Sequence, residues 1–249
     1  MFNLKKILNI FYSSFFNIIN IYNSTKYLKN YKKNILLNDS EYFNEVKNKR
    51  LSSNNDICHH FDNIFYEVAS HKPKVILELG VRKGESTFVF NKIQKTLNNT
   101  FISVDIEDCS NVINDPDWRF IKEDSIKFLK NFTSWSKSNI NSSKPDIIFI
   151  DTSHLYEETL QEIKFSAEII SDNGAIIFHD TNHNHLTFLE NNIIYNKFNY
   201  APQHGVKLAI EDYFDCKFNL KKQFIIIKKG WLIKHYPESF GLTIMRKIN

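Results

Sequence analysis

The stretch Val75-Ile76-Leu77-Glu78-Leu79-Gly80-Val81-Arg82-Lys83-Gly84-Glu85-Ser86 constrains the fold more than any other part of the chain. Val75 to Leu79 is short, apolar and β-rich and follows Pro73, as a buried parallel strand does, and from Thr87 to Leu97 the apolar spacing becomes helical. The chain must reverse direction at the glycines between them. Gly80 and Gly84 can take positive φ and carry no Cβ, so backbone N–H groups and the following helix N-terminus can approach an anionic group closely. The spacing, Glu-x-Gly-x-x-x-Gly, differs from the Gly-x-Gly-x-x-Gly of dinucleotide sites. A tight turn with glycines for geometry alone is the plainer alternative.

With 249 residues, 42% of them hydrophobic, the chain can bury one substantial core. The expectation is one α/β domain over residues 56–249 behind an N-terminal extension, residues 1–55. The net charge of +4 comes from 32 basic and 28 acidic residues that are well mixed, so no nucleic-acid footprint stands out and anionic small substrates remain open. Cys58, Cys109 and Cys216 are few, odd in number and widely spaced, which fits neither a disulfide framework nor a zinc motif and suits a reducing cytoplasm. Adjacent side chains rarely converge on one metal, so Cys58-His59-His60 is read as structural.

Residues 1–22 place Leu4, Leu8, Phe11, Phe15, Ile18 and Tyr22 on one face of an amphipathic helix that is too polar to span a bilayer. Packing on its own domain or in a homodimer is the simpler reading of this helix, and peripheral membrane contact is the alternative. A helix is expected over Asp56 to Ser70. Phe101 to Asp105 reads as a second strand ending in an acid, and Trp118 onward as a third, followed by an N-cap at Asp124 or Ser125 and a helix through Phe132. Ser134 to Ser143 reads as a loop. Asn182 to Asn199, with His183 and His185, reads as a substrate-facing loop or lid. Gly205 to Phe214 reads as a helix, and Phe224 to Ile227 and Leu242 to Met245 as two final strands around a connection over Gly230 to Phe240.

Two buried strands end in polar clusters, Phe149-Ile150-Asp151-Thr152-Ser153-His154 and Ile177-Phe178-His179-Asp180-Thr181. As adjacent parallel strands they deliver Asp151, His154, His179 and Asp180 to the sheet end where open α/β sheets bind ligands. Four ionisable groups at one strand end are costly to desolvate without a ligand or metal.

Taken in order, these motifs resemble the class I S-adenosylmethionine (SAM) dependent methyltransferases, over about residues 60–249. The wording Phe-Ile-Asp-Thr-Ser-His-Leu-Tyr-Glu and Ile-Ile-Phe-His-Asp-Thr looks like the small-molecule O-methyltransferase branch that includes sugar and natural-product enzymes. The resemblance implies a Rossmann-like, seven-stranded, mostly parallel sheet with a C-terminal antiparallel hairpin and helices on both faces. It implies SAM contacts from Glu78, Gly80, Val81, Arg82, Gly84, Ser86, Asp105, Ile106, Asp124, Ser125 and Asp151. Several relatives bind Mg²⁺ through the acids that correspond to Asp151 and Asp180, and His179 occupies a position that is acidic in some of them. Many relatives have Gly in place of Thr152. The expected reaction is methyl transfer to an oxygen of a small polar acceptor, with His154 as general base, His179 as the alternative base, and Asp151 and Asp180 orienting the acceptor or a metal. A basic amphipathic N-terminus suggests a sugar or phosphate-bearing precursor of capsule or cell envelope. N-methylation, and SAM binding by a membrane-peripheral assembly protein without turnover, are the alternatives.

Overall fold

The computed structural model describes residues 40–248 apart from 141, 143, 183–188, 191–192 and 195–204. The expected helix over residues 1–22, His183, His185 and most of the expected lid lie outside the described residues. The described residues begin with α1 (Glu41–Ser52), a 3₁₀ turn (Ile57–His60) and α2 (Phe61–His71). Alternating units follow: β1 (Val75–Leu79), α3 (Glu85–Leu97), β2 (Thr100–Asp105), β3 (Trp118–Lys122), α4 (Ser125–Asn139), β4 (Ile147–Ile150), α5 (Tyr156–Ile169) and β5 (Ala175–Phe178). After α6 (Gly205–Phe214) come β6 (Phe224–Lys228), β7 (Trp231–Tyr236) and β8 (Leu242–Lys247).

These eight strands form one sheet in the order β3-β2-β1-β4-β5-β8-β7-β6. The first five are parallel, and β8, β7 and β6 are antiparallel to their neighbours. The sequence reading expected seven strands. The additional one is β7, read as connection because Lys234 and His235 interrupt its apolar pattern, yet all six of its residues are buried. Lys234 is satisfied by an ion pair with Glu67 of α2, and His235 by Thr243 Oγ1 at 2.9 Å and the Leu220 carbonyl at 2.8 Å. Buried polar groups are tolerated when paired in this way.

A second correction concerns α4, which continues through the expected loop to Asn139. Hydroxyls that ordinarily compete with helix are absorbed by it: Ser134 donates to the Asn131 carbonyl at 2.9 Å and Ser138 to the Ser134 carbonyl at 3.3 Å. Trp135 meanwhile packs against the core beside Phe128 and Phe132.

Both faces of the sheet are covered, so β1, β4 and β5 are apolar on consecutive residues rather than on alternate ones. Ile76, Phe149 and Ile177 face α1, α2 and α3, meeting Phe43, Phe61, Phe65 and Phe90. Leu77, Ile148, Ile150, Ile176 and Phe178 face α4, α5 and α6, meeting Phe132, Ile163 and Phe214. Each buried Phe or Ile contributes about 1.5–3 kcal/mol relative to an exposed one. Strand order reverses between β1 and β4. The crossovers on either side of that point leave a crevice at the strand C-termini.

Candidate functional site

The crevice is built first by glycine. Gly80 has φ +92°, and a Cβ there would lie 2.1 Å from the Asp151 carbonyl oxygen, so the ends of β1 and β4 approach this closely only because residue 80 has no side chain. Asp151 N donates to the Leu79 carbonyl and Gly80 N to the Val104 carbonyl, both at 2.9 Å, which ties the ends of β1, β2 and β4 together. Arg82 and Gly84 also have positive φ, and Gly84 leads directly into α3.

Two acids hold this turn. Glu78 is fully buried and accepts from Ser86 Oγ at 2.6 Å, Ser103 Oγ at 2.6 Å and Thr87 Oγ1 at 2.9 Å, which fastens β1 to β2 and to the first turn of α3. Burial pushes its carboxyl up to about 7 against the pull of those three hydroxyls. Asp105, at the end of β2, accepts from Val81 N at 2.7 Å, Arg82 N at 3.0 Å and Glu107 N at 2.9 Å. Next to it Ile106 is 70% exposed, an apolar side chain held out over the strand end. Asp124 is the N-cap of α4 and accepts from Lys127 N at 2.8 Å. Ser125 Oγ donates to Glu162 at 2.6 Å.

Glu162 of α5 is a residue the sequence reading missed. It is 1% exposed and also accepts from Thr152 Oγ1 at 2.9 Å, and burial raises its carboxyl to about 7. One acid thus fastens the turn after β4 to the start of α4. A carboxylate on a helix back looks like a solvated surface residue in sequence, and its partner Thr152 lies ten residues away in the turn after β4.

A cleft of about 290 Å³ runs over the glycine turn and is lined by Val81, Arg82, Lys83, Ser86, Asp56 and Asp151 among others. A second hollow, about 510 Å³, opens around Asn98, Asn99 and Thr100 at the N-terminal end of β2, away from this end of the sheet.

The two polar clusters meet at the inner end of the first cleft. His154 Nε2 lies 3.1 Å from Asp151 Oδ1 and 3.3 Å from Asp180 Oδ2. His179 Nδ1 lies 3.3 Å from Asp180 Oδ1 and 3.5 Å from Asp151 Oδ1. All four residues are therefore brought together, alternating in charge. His154 and Asp180 adopt positive φ, 59° and 56°, a conformation His and Asp tolerate better than most side chains. The start of α6 is packed against this bend: a Cβ on Gly205 would lie 2.1 Å from the His154 carbonyl oxygen.

The imidazoles differ in access. The His179 side chain is 1% exposed and that of His154 23%. Burial disfavours charge on both, but Asp151 and Asp180 outweigh it, pushing His179 up to about 9 and His154 above its ordinary value. Burial likewise opposes charge on Asp151, yet the two imidazoles hold its carboxyl well below the usual range. In Asp180 burial wins, reinforced by Asp151, and its carboxyl rises to about 6.

The donor set fits a divalent cation. Asp151, His154 and Asp180 offer ligand atoms within 4.8 Å of one another, as do Asp56, His179 and Asp180. His179 Nε2 is buried without a hydrogen-bond partner, and Asp180 Oδ1 is buried with the His179 Nδ1 contact at 3.3 Å. Asp56 was not anticipated from sequence; it comes from the turn before α2 and reaches this cluster only through the tertiary fold. Cys58 and His60 are structural: Cys58 Sγ donates to the Asn55 carbonyl at 2.9 Å, and His60 Nε2 lies 2.8 Å from the Glu238 carbonyl. Among the described residues no helix is long and apolar enough to cross a membrane.

A parallel sheet whose ligand crevice opens at a glycine turn, with an acid closing the second strand, defines a nucleotide-binding type of α/β domain. More particularly, residues 77–181 match the family model for a methyltransferase domain, a segment that runs from β1 to the turn after β5 and holds both halves of the site. Solved structures share the fold at low identity. A protein from Staphylococcus aureus described as a caffeoyl-CoA O-methyltransferase is 16% identical, with a TM-score of 0.55, over 88% of this chain and 99% of its own. The methyltransferase PaMTH1 of Podospora anserina, solved with S-adenosylhomocysteine, is 15% identical, with a TM-score of 0.55, over 84% of this chain and 89% of its own. MycE, a methyltransferase of mycinamycin biosynthesis solved with Mg, S-adenosylhomocysteine and mycinamycin VI, is 14% identical, with a TM-score of 0.54, over 85% of this chain and 56% of its own. No curated protein matches in sequence. The solved structures share this fold, and residues 77–181 match the model of a methyltransferase domain.

Proposed function

We propose that this chain transfers a methyl group from SAM to an oxygen of a small polar acceptor, a sugar or a phosphate-bearing precursor of capsule or cell envelope. The observation that carries the reading is the double position of Asp151, which lines the cleft over the glycine turn and also belongs to the His–Asp cluster. Cofactor site and proton-handling groups are thereby adjacent. Val81, Arg82 and Ser86 line the cleft that would take the methionine end, in the turn that Gly80 and Gly84 shape, with Glu78 as a positioning residue hydrogen-bonded to Ser86. Asp105 would accept from the ribose, and exposed Ile106, with Asp124 and Ser125, would border the adenine.

When bound, SAM supplies a methyl already activated by its positive sulfur. The chain's own work is then to align the acceptor oxygen and remove its proton. His154 suits the proton transfer because it alone of the two imidazoles reaches solvent-accessible space, and Asp151 and Asp180 orient its ring. A divalent cation held by Asp151, Asp180 and His179 would supply Lewis-acid polarisation of the acceptor hydroxyl. Transfer to nitrogen and binding without turnover find no favouring feature among the described residues.

The test is transfer of labelled methyl from SAM into fractionated sugar and phosphate-bearing envelope precursors, with calorimetric titration of SAM alongside. Incorporation is expected in wild type. His154→Ala should lower turnover about 10²–10⁴-fold with SAM affinity unchanged. Failure of the wild-type chain to bind SAM would sink the proposal outright.

A further inference from the structure

We infer that Asp56 is a ligand of a divalent cation shared with His179 and Asp180, and that the imidazole in this set selects a first-row transition ion such as Mn²⁺ over Mg²⁺. The inference deepens the methyl-transfer reading and rests on it only for what the ion is used for. Asp56 stands just before the 3₁₀ turn, where its Oδ1 accepts from Ile57 N at 2.9 Å. Asp56 lines the cleft over the glycine turn, as Asp151 does. One ligand atom from each of Asp56, His179 and Asp180 lies within 4.8 Å of the others. An independent observation points the same way: His179 is 1% exposed with no hydrogen-bond partner at Nε2.

Donor chemistry then chooses the ion. Carboxylates suit Mg²⁺ and Mn²⁺ alike, but Mg²⁺ favours all-oxygen ligands in near-ideal octahedral geometry and keeps several of its waters, so the imidazole is what separates it from the first-row transition ions. A set of one nitrogen and two carboxylates, with Asp151 and His154 adjoining through Asp180, is a poor match to Mg²⁺ and a good one to Mn²⁺ or its neighbours.

The test uses the whole chain after chelator treatment, titrated with Mn²⁺ alone or Mg²⁺ alone, with bound Mn²⁺ read by EPR. One Mn²⁺ per chain is expected, about 10-fold or more tighter than Mg²⁺, with a ¹⁴N coupling in the pulsed spectrum that His179→Gln removes. Asp56→Asn keeps an oxygen to cap Ile57 and should weaken Mn²⁺ about 10–100-fold. Unchanged Mn²⁺ affinity in Asp56→Asn would remove Asp56 from the ligand set, and Mg²⁺ binding as tightly as Mn²⁺ would overturn the choice of ion. SAM titration is scored separately, so loss of the methyl-transfer reading leaves the Mn²⁺ result standing, and the reverse.

Discussion

Two single residues set the geometry on which the crevice depends. At Gly80 positive φ and a carbonyl 2.1 Å from any added Cβ act together, so Gly80→Ala combines backbone strain with overpacking against Asp151. A loss of about 2–4 kcal/mol in urea denaturation is expected. Glu162 acts through protonation. Its folded-state value of about 7 lies above the ordinary 4.5, so the folded chain binds more protons than the unfolded one between those values. Its effect is therefore to lower stability as pH rises from about 4.5 to 7, by a total on the order of 3 kcal/mol. Glu162→Gln removes that dependence. Relative to wild type, the variant should gain stability on going from pH 5 to pH 8, measured by denaturation at the two pH values. The same residue shows what sequence hides: Ser125, Thr152 and Glu162 come from three separate elements, and nothing local marks them as one hydrogen-bonded group.

At the scale of elements, legibility follows how each one satisfies its polar atoms. Strands β1, β4 and β5 were plain in the sequence because a sheet covered on both faces asks for near-continuous apolar runs, interrupted in these three strands only by Glu78, and the acids and imidazoles that follow those runs stood out for the same reason. Asp151, His154, His179 and Asp180 could be placed together on that basis. Strand β7 was not legible, since its two polar residues are paid for by partners on α2, β8 and the segment before β6. The tail of α4 was hidden by serines whose hydroxyls fold back on the helix's own carbonyls. Lys234 of β7 also carries a prediction. Its pairing with Glu67, which further accepts from the Tyr236 hydroxyl, is buried, so Lys234→Met leaves a carboxylate without its cation. A cost of about 3–5 kcal/mol is expected in thermal or urea unfolding. Lys234→Met combined with Glu67→Leu should recover most of it, and the coupling is read from a double-mutant cycle.

For the molecule as a whole, one sheet separates two apolar layers, and neither layer is confined to one stretch of chain. Ile76, Phe149 and Ile244 share one layer with Phe43 of α1; Leu77, Ile148 and Met245 share the other with Phe214 of α6. Unfolding by urea should accordingly be a single transition, with tryptophan fluorescence and far-ultraviolet dichroism giving coincident curves. Noncoincident curves would show that α1 and α2, or the antiparallel strands, form a separate cooperative unit. Strand β8 has a consequence in time. It lies between β5 and β7, and both of those leave the ribosome before it does. Until β8 emerges, the finished hairpin of β6 and β7 has no edge to join, and the edge of β5, next to His179 and Asp180, stays open. A nascent chain of this topology therefore holds its His–Asp corner incomplete until almost all of the domain has been translated.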